Sequence, residues 1–146
     1  MKIPLKLVDG RIVVNAIILS ENYHFGASPI LFVIDTGSDA TFISEQDALR
    51  LQISTENLRS METFQMAGAK YDLVLGKGIS LYFKTDENKS SHIDFSNVPI
   101  ARSTIRKKTE DSGFPSILGT DFLLKNNFSL YFSPNKKIIF LEKDEK

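Results

Sequence analysis

An aspartate follows an apolar strand in the segment ILFVIDTGSDATFIS, which begins at Ile30. Five apolar residues lead into Asp35, and the next three residues are Thr36, Gly37 and Ser38. A carboxylate beside a buried strand is costly unless it is paired or hydrogen-bonded. The glycine lets its own N–H approach the carboxylate closely, and the two hydroxyl groups are further donors. Such donors stabilise an ionised carboxylate in a site with little water, where it can exchange protons with a substrate.

A second segment, SILGTDFLLKN, begins at Ser116 and combines a short apolar run with a glycine. Ile117 and Leu118 lead into Gly119, and a short helix is predicted to follow. Each segment has a plain structural explanation when it is considered alone. Aspartate commonly supplies a turn or a helix cap, and the second segment has the pattern of a strand packed on a helix. The apolar strand before Asp35 favours the chemical interpretation, because turn aspartates lie outside the core.

The elements around these segments predict a mostly-β domain with two short helices. Asp9-Gly10 is a strong signal for a two-residue hairpin turn. Continuous apolar character predicts that the strand Ile30–Ile34 is buried on both faces. Ser44 is the predicted N-cap of a helix that ends near Leu51.

The remaining predictions follow from alternation, β-branched content and turn residues. The predicted strands are Ile3–Val8, Arg11–Leu19, Ile30–Ile34, Thr41–Ile43, Met61–Met66, Lys70–Leu75, Ile79–Phe83, Phe95–Ala101, Ser116–Leu118 and a closing hairpin over Phe128–Leu141. The second helix is predicted at Thr120–Lys125, and the loops at Ser20–Pro29, Lys84–His92 and Arg102–Pro115. The phenylalanines predicted to lie in the core by their spacing are Phe122, Phe128, Phe132 and Phe140.

Composition excludes several classes of function. The chain has 146 residues, which predicts a single domain over residues 1–146. Lys+Arg and Asp+Glu are both 18, so a nucleic-acid partner held by phosphate neutralisation is not expected. Cysteine is absent, and His24 and His92 lie in predicted loops without ligand spacing, so no metal or other cofactor is expected. The N-terminus lacks the apolar core of a signal peptide and no apolar run is long enough to span a membrane, so we expect a cytoplasmic protein.

Together, the two segments resemble the retropepsin-like aspartic proteases, a family of retroviral and retrotransposon proteases with cellular and bacterial relatives. The resemblance covers about Ile30–Leu124 in the right order. It consists of apolar residues before Asp-Thr-Gly-Ser, a hairpin with glycine near its tip, and Ile-Leu-Gly-x-Asp-Phe-Leu. The resemblance implies a closed β-barrel with one or two short helices, and a hairpin, called the flap, that closes over a peptide or protein substrate.

The resemblance also implies roles for individual residues. Asp35 is the implied catalytic acid, with Gly37 beside the substrate backbone and the Thr36 hydroxyl bonded across a dimer. The segment Gln65–Lys70 matches the flap. The implied substrate-binding residues are Ser38, Asp39, Met66, Ala67 and Gly68, and the implied structural segment that crosses next to the catalytic loop is Ile117, Leu118 and Gly119.

The mechanism that the resemblance implies needs two such aspartates. Asp111-Ser112-Gly113 is rejected as the second, because it follows a polar stretch and not an apolar strand. A chain of 146 residues has no room for two catalytic lobes. The second Asp35 is therefore predicted to come from a second copy of the chain, in a homodimer with the site on its two-fold axis.

The leading interpretation is a homodimeric aspartic endopeptidase that hydrolyses peptide bonds. One alternative is a binding or scaffold module that keeps the dimeric fold and cuts weakly or not at all. A second alternative is an unrelated β-barrel binding domain with a chance motif, which predicts a monomer.

Overall fold

A computed structural model describes residues 1–20, 28–66, 69–93, 95, 97–103 and 114–144. These ranges contain twelve strands and two short helices. The strands are β1 Lys2–Pro4, β2 Lys6–Val8, β3 Arg11–Ser20, β4 Ser28–Ile34, β5 Ser60–Met66, β6 Ala69–Leu75, β7 Ile79–Lys84, β8 Ser90–Ile93, β9 Pro99–Ser103, β10 Ser116–Leu118, β11 Phe128–Ser133 and β12 Ile138–Lys143. The helices are α1 Glu45–Arg50 and α2 Thr120–Lys125.

Local sequence signals predicted both helices and three hairpins correctly. The Ser44 side chain accepts a hydrogen bond from the Asp47 N–H and caps α1 as predicted. Asp9 and Gly10 both adopt positive φ, at 50° and 77°, which suits the tight turn between β2 and β3. The β5–β6 and β11–β12 hairpins also form. The mostly-β class with two short helices is therefore confirmed.

Four predictions of loops and strands were wrong. The predicted strand Ile3–Val8 is divided at Leu5 into β1 and β2, which belong to different sheets. The predicted loop Lys84–His92 contains β8, which pairs with β7 through a short turn in which the Thr85 N–H donates to Lys89 O. A polar strand at a sheet edge has the composition of a loop, which explains the error. The predicted strand Phe95–Ala101 begins only at Pro99, and Thr41–Ile43 forms isolated bridges through Phe42 and Ile43. Residues 104–113 of the predicted loop Arg102–Pro115, and residues 21–27 of the loop Ser20–Pro29, lie outside the described ranges.

The strands pair into three sheets. A six-stranded sheet has the order β10-β4-β3-β7-β8, with β2 also paired to β3. Two three-stranded sheets have the orders β1-β12-β11 and β5-β6-β9. Among the described strands these pairings do not form a closed barrel.

The main core joins apolar side chains from all three sheets and both helices. Phe122 of α2 is fully buried there and contacts Phe128, with ring centroids 5.7 Å apart. Phe132 was predicted in the core but is 46% exposed at the end of β11, and Phe140 is half-buried on the outer face, where it stacks on Tyr131. Phe132 lies on the core face of β11 but past the edge of the core, whereas Phe140 points to the opposite face of β12 from the buried Leu141.

The strand before Asp35 alternates, so the prediction that it is buried on both faces was wrong. Ile30, Phe32 and Ile34 are buried, whereas Leu31 is 45% exposed and Val33 is half-buried. Successive side chains of a strand point to opposite faces. Leu31, Val33 and Asp35 therefore share one side of the chain, and this side is open to solvent.

Candidate active site

Asp35 lies where β4 ends against β10. The two strands pair in parallel, with Val33 opposite Ile117 and Ile34 opposite Leu118. The Asp35 N–H donates to Leu118 O over 3.0 Å, so the pairing continues into the loop of residues 35–40, which we call the catalytic-type loop. The structure thus brings together the two segments that the sequence singled out.

Backbone geometry orients the Asp35 carboxylate. The Gly37 N–H donates to Asp35 Oδ1 over 2.9 Å, and the Ser38 N–H donates to Asp35 O over 3.1 Å. A Cβ at position 37 would lie 3.1 Å from Asp35 Oδ1, so the glycine permits this close approach. Asp35 is half-buried, and among the described residues its carboxylate receives this one hydrogen bond. Most of its hydrogen-bonding capacity is therefore left for a substrate, a water or another carboxyl group.

Ser38 is directed away from the carboxylate, contrary to expectation. Its Oγ donates to Ala40 O over 2.8 Å and accepts from the Ala40 N–H over 3.3 Å. A hydroxyl has one proton, so this side chain does not donate to Asp35. Thr36, Gly37 and Asp39 are exposed in the single chain, on the rim of the loop.

Gly119 lets β10 cross the catalytic-type loop at very short range. A Cβ at this position would lie 2.7 Å from both Ser38 O and Ala40 O. The next residue holds the crossing, because the Thr120 N–H donates to Ser38 O over 2.8 Å. Ile117, Leu118 and Gly119 are all buried. The segment Ile117–Gly119 therefore packs beneath the loop that carries Asp35, on its buried side, and exposes no side chain to solvent.

A groove lies along the exposed side of β4. Leu31, Val33 and Pro115 form its apolar wall. The turn between β2 and β3 borders it with Asp9 and Arg11. The half-exposed Leu31 is thus explained, because it lines a surface that can take apolar side chains of a peptide.

The hairpin of β5 and β6 stands where the resemblance places the flap. Met66, the last residue of β5, pairs with Ala69, the first residue of β6. Ala67, Gly68 and the Met66 side chain lie outside what the structure describes. Contacts of Met66, Ala67 and Gly68 with a substrate therefore remain a prediction.

Four aromatic rings pack between the middle of this hairpin and the crossing of β10. Phe64 of β5 and Tyr71 of β6 stack at 5.7 Å between centroids. Phe42, next to the crossing of β10, lies 5.5 Å from both Phe64 and Phe114. Offset and edge-to-face pairs at such distances are favourable. The hairpin therefore packs through Phe42 against the segment that supports Asp35, since Phe42 is bridged to Ile117.

Comparison with known proteins places the chain in a family. Residues 22–122, more than half of the chain, match the family model described as aspartyl protease. The chain belongs to the aspartyl protease family. Among curated protein sequences, none matches this chain.

Two solved aspartic proteases are similar in structure. A retropepsin-like aspartic protease from Rickettsia conorii shares 18% identity over 97% of this chain and 88% of its own, with a TM-score of 0.57. The EIAV protease, solved in complex with the inhibitor HBY-793, shares 14% identity over 82% of this chain and 91% of its own, with a TM-score of 0.48. The likeness to the Rickettsia protein shows that the fold is retropepsin-like.

Membership in the aspartyl protease family excludes the alternative of an unrelated domain with a chance motif.

The described residues contain no cluster of acidic and histidine side chains that could hold a metal ion. His92, expected in a loop, lies in β8 and contacts Tyr82 with the rings tilted by 39° and 4.9 Å between centroids. His24 lies outside the described ranges. No described helix is long and apolar enough to cross a membrane.

Sequence reasoning missed a polar network that fixes the crossing in this member of the aspartyl protease family. Thr41 Oγ1 donates to Asp121 Oδ1 over 2.6 Å and accepts from the Gly119 N–H over 2.9 Å. The Thr41 N–H also donates to Asp121 Oδ2 over 3.2 Å. Thr41 is fully buried, so these bonds satisfy groups that water cannot reach. Asp121 stood in the Ile-Leu-Gly-x-Asp-Phe-Leu motif, which was the one available signal.

The substitution Thr41→Val is expected to lower the free energy of unfolding by about 2 kcal/mol, because it strands the buried Gly119 N–H. Valine keeps the shape of the side chain and removes the hydroxyl. Thr41→Ser, the matched control, keeps the hydroxyl and loses one methyl group, which costs about 1 kcal/mol. Urea unfolding of the three proteins measures the difference. Equal losses from both variants would show that the methyl group matters and the network does not.

Proposed function

We propose that this protein is an aspartic endopeptidase that works as a homodimer, with Asp35 of each copy forming the catalytic pair. The observation that carries the proposal is the half-buried Asp35 at the end of β4, beside its parallel partner β10, with its carboxylate held by the Gly37 N–H. Family membership supports the reaction class. Asp35 and its neighbours Thr36 and Gly37 are the proposed catalytic loop.

Two copies are needed because one carboxyl group cannot act as both acid and base at once. Thr36, Gly37 and Asp39 are exposed in the single chain, so the loop is free to face the same loop of a second copy. An isologous contact places two identical loops across one two-fold axis. The Thr36 hydroxyl is proposed to bond across that axis.

The proposed chemistry follows from two carboxyl groups at short distance. They cannot both be ionised, so they share a single proton. The ionised Asp35 takes a proton from a water molecule, whose oxygen adds to the carbonyl carbon of the peptide bond. The protonated Asp35 polarises the carbonyl oxygen by donating a hydrogen bond. Transfer of a proton to the amide nitrogen then lets the C–N bond break.

The substrate is proposed to be a peptide or protein in extended form. Apolar side chains of the substrate would fill the groove of Leu31, Val33 and Pro115, which opens on the same side as Asp35. Gly37 and Asp39 would lie beside its backbone, together with Ser38. The flap residues Met66, Ala67 and Gly68 would close over it.

Three further parts of the proposal concern the whole protein. We propose that the sheets close into a retropepsin-like barrel and that residues 1–146 form a single domain. The predicted location is the cytoplasm, which imaging of the tagged protein in its own cells tests. None of these three parts affects the chemistry at Asp35. No cofactor is required by the proposed mechanism.

Cleavage of a diverse peptide library between about pH 4 and about pH 7 tests the function. The expected result is cutting next to apolar residues, with inhibition by a statine-type compound that occupies the place of the attacking water. The specific activity should rise with protein concentration, because a monomer holds half of the site. Absence of cutting at every pH from a sample shown to be dimeric would favour the scaffold alternative.

A further inference from the structure

The six-stranded sheet has a gap where two of its strands meet end to end. β4 occupies one edge of β3 over residues 13–18. β2 pairs with residues 11–13 of β3, and β7 pairs with residues 16–20. Because a strand has two edges and β4 holds one of them, β2 and β7 both lie along the other edge. Residues 14 and 15 of β3 have no described strand beside them on that edge.

Two lysines flank this gap. Lys6 is the first residue of β2, and Lys84 is the last residue of β7. Lys6 lies opposite Val13, and Lys84 follows the partner of Ala16. Side chains opposite each other on paired strands share a face, and consecutive side chains alternate between faces. Both lysines therefore share a face with Asn15, which lies between them on β3, and all three residues are exposed.

A small pocket lies at this gap. Lys6, Lys84 and Asn15 line it together with the apolar Leu31 and Pro4. Leu31 lies opposite Asn15 on β4, so it shares the same face. The pocket has a volume of about 160 Å³, which suits a single side chain, since pockets for drug-sized ligands occupy about 300–1,000 Å³. Apolar surface beside two ammonium groups and an amide suits a side chain that has methylene groups and an anionic end.

The charges in this pocket are unpaired within the described part of the chain. There, neither Lys6 nor Lys84 forms an ion pair, and the Asn15 amide has no hydrogen-bond partner. The nearest acids along the chain, Asp9 and Asp86, do not line the pocket. Two neighbouring ammonium groups repel each other, and both attract an anion placed between them. Charge complementarity therefore favours a carboxylate as the occupant.

The pocket continues the groove beside β4. Val13 and Leu31 line both of them. The groove also contains Val33, two residues before Asp35. A strand advances about 3.3 Å per residue, so Leu31 lies about 13 Å along β4 from Asp35. An extended peptide covers that length with about four residues, so a substrate in the groove can bring a residue further along its chain to the pocket.

We propose that this pocket binds an acidic side chain of the substrate and selects peptides with Glu or Asp about four to six residues from the bond that is cut. Lys6, Lys84 and the Asn15 amide would donate hydrogen bonds to the carboxylate, and Leu31 would pack against its methylene groups. The inference rests on the proposed function, because it names a class of substrate for the same site. The carboxylate stays bound while the peptide bond reacts, so the contact is expected to lower KM and leave kcat unchanged.

Peptides that differ only by Glu or Gln at one of these positions test the inference. At the best position, kcat/KM is expected to be about 5-fold higher for the Glu peptide, with the difference in KM. Added salt should reduce this preference, because it screens exposed charges. Equal kcat/KM for the Glu and Gln peptides at every position would overturn the inference.

Substitution of the lysines assigns the preference to this pocket. Lys6→Gln and Lys84→Gln are each expected to reduce it, and Lys84→Glu should replace it with a preference for a Lys peptide. Lys136→Gln is the matched control, since Lys136 is exposed in the turn between β11 and β12 and lines neither the pocket nor the groove. It should keep the preference for Glu. A preference that survives Lys6→Gln and Lys84→Gln combined would contradict the proposed role of both lysines.

The failure of this inference differs from a failure of the proposed function. Equal cleavage of the Glu and Gln peptides contradicts the pocket and leaves the function standing. If neither peptide is cut, the function is contradicted, and fluorescence anisotropy of labelled peptides with Asp35→Asn still tests the pocket. The Glu peptide should bind about 5-fold more tightly than the Gln peptide, whereas equal affinities would overturn the inference.

Discussion

Replacing Asp35 with asparagine is expected to abolish peptide cleavage while the fold and the dimer remain intact. Asparagine keeps the size of the side chain and an oxygen that can accept from the Gly37 N–H, which is the observed contact of Oδ1. It cannot take a proton from water at neutral or mildly acidic pH, and both halves of the site carry the change. The expected loss in kcat/KM is at least about 10³-fold, in the range that general acid–base groups supply.

Asp86→Asn is the matched control for this variant. Asp86 is an exposed aspartate in the turn between β7 and β8, far along the chain from the catalytic-type loop. Removal of its charge should leave kcat/KM unchanged and should change the free energy of unfolding by no more than about 0.5 kcal/mol. Cleavage that survives in Asp35→Asn, on the same library and with the same inhibitor sensitivity, would assign the activity to another group or to a contaminant.

The features that sequence alone predicted are those with local physical causes. Asp9-Gly10 predicted its hairpin because positive φ at both positions is a property of those two residues. Ser44 predicted the start of α1 because its hydroxyl reaches only the next turn. The apolar run before Asp35 predicted a strand that ends at the acid, and the structure has this strand.

The features that escaped prediction depend on residues that are distant in the sequence. Thr41 and Asp121 are 80 residues apart, and only the crossing of β10 over the catalytic-type loop brings them together. The direction of the Ser38 hydroxyl depends on how the chain turns toward Ala40. Leu31 has the composition of a core residue, and its exposure shows only when the groove beside β4 exists. The composition of a strand gives the tendency of its side chains to be buried, and tertiary contacts decide which face of the strand is buried.

Gly119→Ala is expected to destabilise the protein by about 3 kcal/mol and to impair cleavage by the molecules that still fold. Gly119 has φ −89° and ψ −174°, which alanine adopts without strain, so the whole effect comes from contact. The new Cβ would lie 2.7 Å from both Ser38 O and Ala40 O. These are backbone atoms of the loop that carries Asp35, so they can move only by displacing that loop. A displacement of about 1 Å at a catalytic group can lower the rate about 100-fold.

Gly76→Ala separates the loss of stability from the effect on the site. A Cβ at Gly76 would also meet a backbone oxygen, that of Val98, at the start of the turn after β6 and away from Asp35. Both variants should unfold at lower urea concentration than the wild type. Measured on the folded fraction at low temperature, kcat should fall in Gly119→Ala and stay at the wild-type value in Gly76→Ala. If kcat falls equally in both, Gly119 serves the overall fold and does not specifically set the position of Asp35. If it falls only in Gly119→Ala, the short approach of β10 to the loop is what holds the carboxylate in place.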